Sequence, residues 1–224
     1  MSEGSHPCRT AYKSMGEIML IDPAQPSPPL IDKAADVIKG GGVIIYPTET
    51  LYGLGANPLD PEAMNRLYAI KGREKAKPIP FLIKDQEMLA TLVEDIPHIG
   101  IQLMERYWPG ALTLIFRAKK GLPPPLYGET GTIGLRISAH PVARLLLEAI
   151  GTPLTSTSAN PAGEGDLTDI RSIARAFGDQ ADLIIDGGIV PGTGSTVIDL
   201  TTTTPKIVRE GMIKKPLHEI RRHR

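Results

Sequence analysis

Short apolar runs rich in Val, Ile and Leu alternate with segments whose apolar residues recur every three or four positions, along most of this 224-residue chain. The runs lie at 43–46, 112–116, 133–137, 153–157, 183–185, 196–200 and 206–209. They have strand length and are too short for helices. Between them, Ile31, Ala34, Ala35 and Ile38 share one face of a helix over 30–39, which Gly40, Gly41 and Gly42 stop. Asp60 caps a helix with Pro61 at its first position, and Gly72 is placed to close it. Further helices are expected over 98–107, over 141–150 with Gly151 as its stop, and over 169–177 behind an Asp169 cap. Neither a composition break nor an internal repeat interrupts this alternation. It predicts one α/β domain, a twisted open mixed sheet with flanking helices.

The expected division is a flexible N-terminal arm over 1–16, a catalytic domain over 17–213 and a basic C-terminal tail over 214–224, ending in PLHEIRRHR. Twenty-five Lys and Arg balance twenty-five Asp and Glu, so an anionic ligand must meet a local cluster of cations. Cys8 is the single cysteine, which excludes a disulfide or a cysteine zinc site within one chain. The N-terminus carries no apolar stretch of signal-peptide length, and no run reaches the ~20 apolar residues of a membrane span. The chain is therefore expected to be soluble and cytoplasmic, with no membrane partner. It contains no GxxxxGK[ST], no HExxH and no GxSxG, and GLGANP lacks the third glycine of a dinucleotide fingerprint. A protein-bound metal is not expected.

Four polar segments sit where strands or helices end, the usual place for ligands in open α/β sheets. PTETLYG puts Thr48, Glu49, Thr50 and Tyr52 after a buried strand. A turn satisfied by its own hydroxyls would also explain that segment. Lys71, Arg73, Lys75 and Lys77 place four positive charges in seven residues. The helix C-terminus accounts for one of them, and a polyanionic ligand is a natural reason for the rest. Thr155-Ser156-Thr157-Ser158-Ala159-Asn160 offers hydroxyls and an amide suited to phosphate or ribose, or else a capped turn. The last segment joins STVIDL at 195–200 to VREG at 208–211, an edge hairpin with a polar rim. Arg136 lies inside the apolar strand IGLRIS, where an arginine seldom goes without an anionic partner.

PTETLYGLG, a lysine-x-arginine after a helix, WPGALTLIF, TIGLRISAHPVA, TSTSAN, STVIDL and VREG follow one another over about residues 30 to 211. Seven motifs in this order resemble the threonylcarbamoyl-AMP synthases in their single-domain form. Glu74, SANPAG and KPIP depart from the usual pattern. The resemblance implies the YrdC-like fold, with a large cationic cavity. It also implies an L-threonylcarbamoyladenylate synthase that combines L-threonine, bicarbonate and ATP, releases pyrophosphate, and serves N6-threonylcarbamoyladenosine formation in tRNA. Mg²⁺ would come with ATP, and the product would pass to a tRNA threonylcarbamoyl-transfer machinery.

By motif position, the resemblance makes Lys71 and Arg73 a phosphate clamp and the catalytic pair. It makes Ser158, Asn160 and Arg209 nucleotide contacts. It assigns Thr50, Arg136 and Ser195 to threonine and puts Ser156 in the same cavity. The chemistry is consistent with that set: a carbamate must attack an α-phosphate, so fixed cations must screen two anions from each other. Two other readings stand beside it. One is a paralogue with the same cavity and another acceptor. The other is a non-catalytic RNA-binding module gripping phosphates through Lys71–Lys77 and the tail. Neutral charge and 4% aromatic residues weigh against a dedicated RNA binder and leave at most weak RNA binding.

Overall fold

The computed structural model describes residues 16–72, 79–161, 163 and 165–221. Arg73 and the other cations of the 73–78 segment lie outside these residues, as does nearly all of the expected N-terminal arm. The strands are β1 (Glu17–Leu20), β2 (Ile44–Tyr46), β3 (Gly53–Gly55), β4 (Phe81–Leu82), β5 (Leu112–Arg117), β6 (Thr132–Arg136), β7 (Leu154–Thr155), β8 (Thr157–Ser158), β9 (Leu183–Asp186), β10 (Thr196–Asp199) and β11 (Lys206–Arg209). The α-helices are α1 (Pro28–Lys39), α2 (Pro61–Lys71), α3 (Gln86–Leu92), α4 (His98–Tyr107), α5 (Pro141–Ile150), α6 (Ile170–Phe177) and α7 (Pro216–Arg221).

The α/β class and the flanking helices are as expected, but the strands divide between two mixed sheets. The first runs β1-β9-β2-β3-β8 and the second β11-β10-β5-β6-β4-β7. The run at 153–157, read as one strand, is what passes between them. β7 pairs antiparallel with β4, whereas β8 pairs antiparallel with β3. Thr155 stitches the crossing: its N–H donates to the Ala56 carbonyl at 3.1 Å and its hydroxyl to the Leu54 carbonyl at 2.9 Å. Backbone groups that leave one ladder are thereby satisfied at the edge of the next.

Helix ends follow the chemistry of their residues. Asp60 accepts hydrogen bonds from the Glu62 and Ala63 amides, Asp169 from those of Arg171 and Ser172. α1 starts two positions earlier than its apolar spacing shows, because Pro28 and Pro29 occupy the first turn, where a missing N–H costs nothing. The first sheet is covered on one face by α1 and α5 and on the other by α2 and α6, through Ile31, Ile38, Leu146 and Leu147, and through Met64, Leu67, Ile173 and Phe177. The second sheet buries Leu112, Leu114, Phe116, Ile133, Leu135 and Ile198 against α3 and α4. Part of the expected tail is helical as α7, and Leu217 packs on that same core.

Period-two alternation leaves the opposite face of the second sheet free of this core. Thr132, Gly134 and Arg136 of β6, Thr113 and Ile115 of β5, and Val197 of β10 point that way. They form one wall of a cavity of about 640 Å³.

Candidate functional site

The other wall comes from three places. The 48–53 loop leaves β2, Lys71 and Gly72 end α2, and residues 156–160 carry the crossing strand into its loop. Thr50, Lys71, Arg136, Ser156, Ser158, Asn160, Ser195 and Arg209 all line this single cavity. These are all the site residues expected from the sequence except Arg73, which is not among the described residues. Lys71, Arg136 and Arg209 are the charged side chains among the described lining residues, which include no carboxylate.

Lys71 ends α2 and is 5% exposed. Its ammonium donates to the carbonyls of Ser158 at 2.6 Å and Asn160 at 2.5 Å, and to Asn160 Oδ1 at 2.7 Å. The Ser158 hydroxyl donates to the same Oδ1 at 2.6 Å. Lys71 thus anchors the 158–160 loop to the helix end, a structural task that its motif alone did not reveal. The same side chain stands in the cavity wall, where its ammonium is a fixed positive charge.

On the far side, β10 and β11 hold a second group. Arg209 Nη2 donates to the Ser195 carbonyl at 2.9 Å and to the Ser195 hydroxyl at 3.0 Å. That hydroxyl also meets Thr113 Oγ1 at 2.8 Å. Arg209 is solvent-exposed at the rim, while Ser195 and Thr113 are buried. Between the two groups, Arg136 is 4% exposed and donates from Nη1 to Thr50 Oγ1 at 3.0 Å. Thr50 Oγ1 in turn meets Thr48 Oγ1 at 2.9 Å, and Thr48 donates to the Leu51 carbonyl at 2.7 Å. The PTET turn therefore does satisfy its own backbone, and it does so while presenting Thr50 to an arginine.

Two tyrosines frame the turn. Tyr46 donates to the Thr155 carbonyl at 2.9 Å, and burial pushes its hydroxyl well above the ordinary tyrosine range. Tyr52 donates to the Gly188 carbonyl at 2.6 Å, and burial pushes its pKa up to about 12. Both stay neutral at physiological pH and serve as struts. Burial also lowers the pKa of His140, against the opposing charge of Glu49. Thr113 and Thr132 were not singled out from the sequence. Strand alternation could have found them, because each shares its strand face with other cavity-wall residues and points away from the core.

The family model described as telomere recombination, for Sua5, YciO and YrdC, matches residues 36–211. The chain belongs to the Sua5/YciO/YrdC family. It is 38% identical over 196 residues to the threonylcarbamoyl-AMP synthase of Pyrococcus abyssi, covering 85% of this chain and 58% of that protein. It is 36% identical to the uncharacterized protein YciO of Escherichia coli K12, over 88% of this chain and 97% of YciO. The structure of P. abyssi Sua5 complexed with L-threonine superimposes with a TM-score of 0.86 at 36% identity, covering 92% of this chain and 60% of that one. The crystal structure of E. coli YciO gives 0.84 at 36% identity, covering 90% and 99%. This Sua5/YciO/YrdC chain thus spans about three fifths of the archaeal synthase and nearly all of YciO. Among its described residues, no group of three or more His, Cys, Asp or Glu could hold a metal ion, and no helix is long and apolar enough to cross a membrane.

Proposed function

We propose that this chain is a cytoplasmic L-threonylcarbamoyladenylate synthase that uses L-threonine, bicarbonate and ATP and releases pyrophosphate. The observation that carries this reading is the convergence of eight separately encoded polar residues on one cavity, three of them cationic. The archaeal relative whose structure holds L-threonine shares the fold at 36% sequence identity.

In this reading the threonine amine attacks the bicarbonate carbon, a C–N bond forms and water leaves. A carbamate oxygen then attacks the α-phosphorus, and the bond to the β-phosphate bridging oxygen breaks. Carbamate and triphosphate repel each other, so the cavity must supply fixed positive charge where they meet. Lys71, with Arg73 beyond it, clamps the phosphates. Ser158, Asn160 and Arg209 hold the nucleotide. Arg136 takes the threonine carboxylate, with Thr50, Ser156 and Ser195 around the rest of the amino acid. Mg²⁺ enters on ATP as part of the substrate. The adenylate then serves tRNA threonylcarbamoylation by a separate transfer machinery.

The near-complete overlap with YciO favours one alternative, a paralogue with the same cavity and another acceptor. Amino-acid choice separates the two. Threonine should exceed valine by up to ~10⁴ in pyrophosphate release, because valine leaves buried hydroxyls unpaired. Serine should trail threonine by only ~1–3 kcal/mol, the worth of one methyl group. Equal rates with valine and threonine would exclude the synthase and leave the paralogue.

A further inference from the structure

Glu49 lies between Thr48 and Thr50 in sequence, but unlike them it does not line the cavity. Its carboxylate turns behind the wall. Oε2 accepts a hydrogen bond from the hydroxyl of Ser138, which is 0% exposed. Oε1 is buried, has no hydrogen-bond partner among the described residues, and lies 3.9 Å from Arg136 Nη1. The side chains of Glu49 and Arg136 are 18% and 5% exposed. No other carboxylate among the described residues pairs with this guanidinium.

We infer that Glu49 is a positioning residue for Arg136. Resting on the synthase reading, it presets the guanidinium for the carboxylate of the amino-acid substrate. A buried arginine needs a counter-charge, and a long side chain needs to be held if it is not to swing. Glu49 supplies both from the protein side, while Thr50 fixes the cavity side at 3.0 Å. The 3.9 Å gap decides between two roles. A carboxylate forked onto Arg136 would occupy the donors that an incoming carboxylate needs. At this distance Glu49 holds the arginine by charge alone and takes none of its N–H groups, of which Thr50 takes one from Nη1. Ser138 completes the arrangement by holding the carboxylate in place. The same hydroxyl accepts the His140 amide at 3.2 Å, which ties the support to the start of α5.

Glu49→Gln tests this with little change of shape, since a glutamine carbonyl can still accept from Ser138. Two readouts are taken on the full chain, L-threonine binding by calorimetry and the position of Arg136 in a crystal structure of the variant. The expected result is about tenfold weaker threonine binding with ATP affinity unchanged, the size of effect that weakening one charge-assisted hydrogen bond produces. The Arg136 guanidinium should also have left Thr50, with the melting temperature nearly preserved. Arg136 in place with threonine affinity unchanged or raised would overturn the inference, leaving Glu49 as mere core polarity or as a competitor of the ligand. If the wild type binds no threonine, the synthase reading fails by itself, and the position of Arg136 alone decides for or against Glu49.

Discussion

At the scale of single residues, the chain uses polar side chains twice. Lys71 is read from its motif as a phosphate ligand, yet its ammonium already holds three oxygens of the 158–160 loop. Lys71→Ala should therefore harm both structure and activity. The Ser158 carbonyl keeps the Asn160 amide as a donor, but the buried Asn160 carbonyl loses its lysine, at a cost of ~1–3 kcal/mol, equivalent to about 2–4 °C in melting temperature per kcal/mol for a chain of this size. Loss of a charge-assisted phosphate contact should lower turnover by a further ten- to hundredfold. Differential scanning fluorimetry and pyrophosphate release on the purified variant measure the two effects. Unchanged melting and unchanged turnover together would remove Lys71 from the site. Motif position could place this lysine at the cavity, but its burial depended on a loop nearly ninety positions away. That contact is long-range, and no local pattern encodes it.

At the scale of elements, the legible parts were those with strong local chemistry. α4, α5 and α6 begin and end where Pro, Asp and Gly signals put them. No strand is expected at 53–55, because Gly53 and Gly55 carry no strand preference, yet β3 forms there. The structure explains those glycines by close approach. A Cβ on Gly55 would come within 2.8 Å of the Tyr46 ring, which packs across β3. The missing side chains make room for the tyrosine that braces the neighbouring loop. β7 and β8 merged into one predicted strand because the passage between sheets leaves no mark in hydrophobic pattern. The same close packing governs VREG. A Cβ on Gly211 would meet the Gly194 carbonyl oxygen at 2.3 Å and the Ser195 carbonyl carbon at 2.4 Å. Gly211→Ala should push the 194–196 segment aside, costing ~1–3 kcal/mol and weakening ligand contacts made through Ser195 and Arg209. Chemical denaturation and nucleotide titration would show it. A variant with wild-type stability and affinity would mean that the segment yields without consequence.

At the scale of the molecule, two sheets meet at a crossing strand, and the cavity opens where they meet. Each sheet packs its apolar faces on helices, so the face with Thr113, Thr132 and Arg136 is left to the cavity. The eight described site residues come from the β2–β3 loop, the end of α2, β6, the crossing strand and its loop, the start of β10 and β11. Sequence order predicted that they belong together, and only the fold shows the distances between them. In the proposed reaction this one cavity joins an amino acid, a one-carbon unit and a nucleotide. Incubating the purified chain with ATP, Mg²⁺, L-threonine and ¹³C-bicarbonate, then weighing the nucleotide products by mass spectrometry, tests it most directly. The expected product is threonylcarbamoyl-AMP carrying one heavy carbon, formed with pyrophosphate and absent when threonine is withheld. Pyrophosphate or AMP formed at the same rate without threonine, with no labelled adduct, would contradict it.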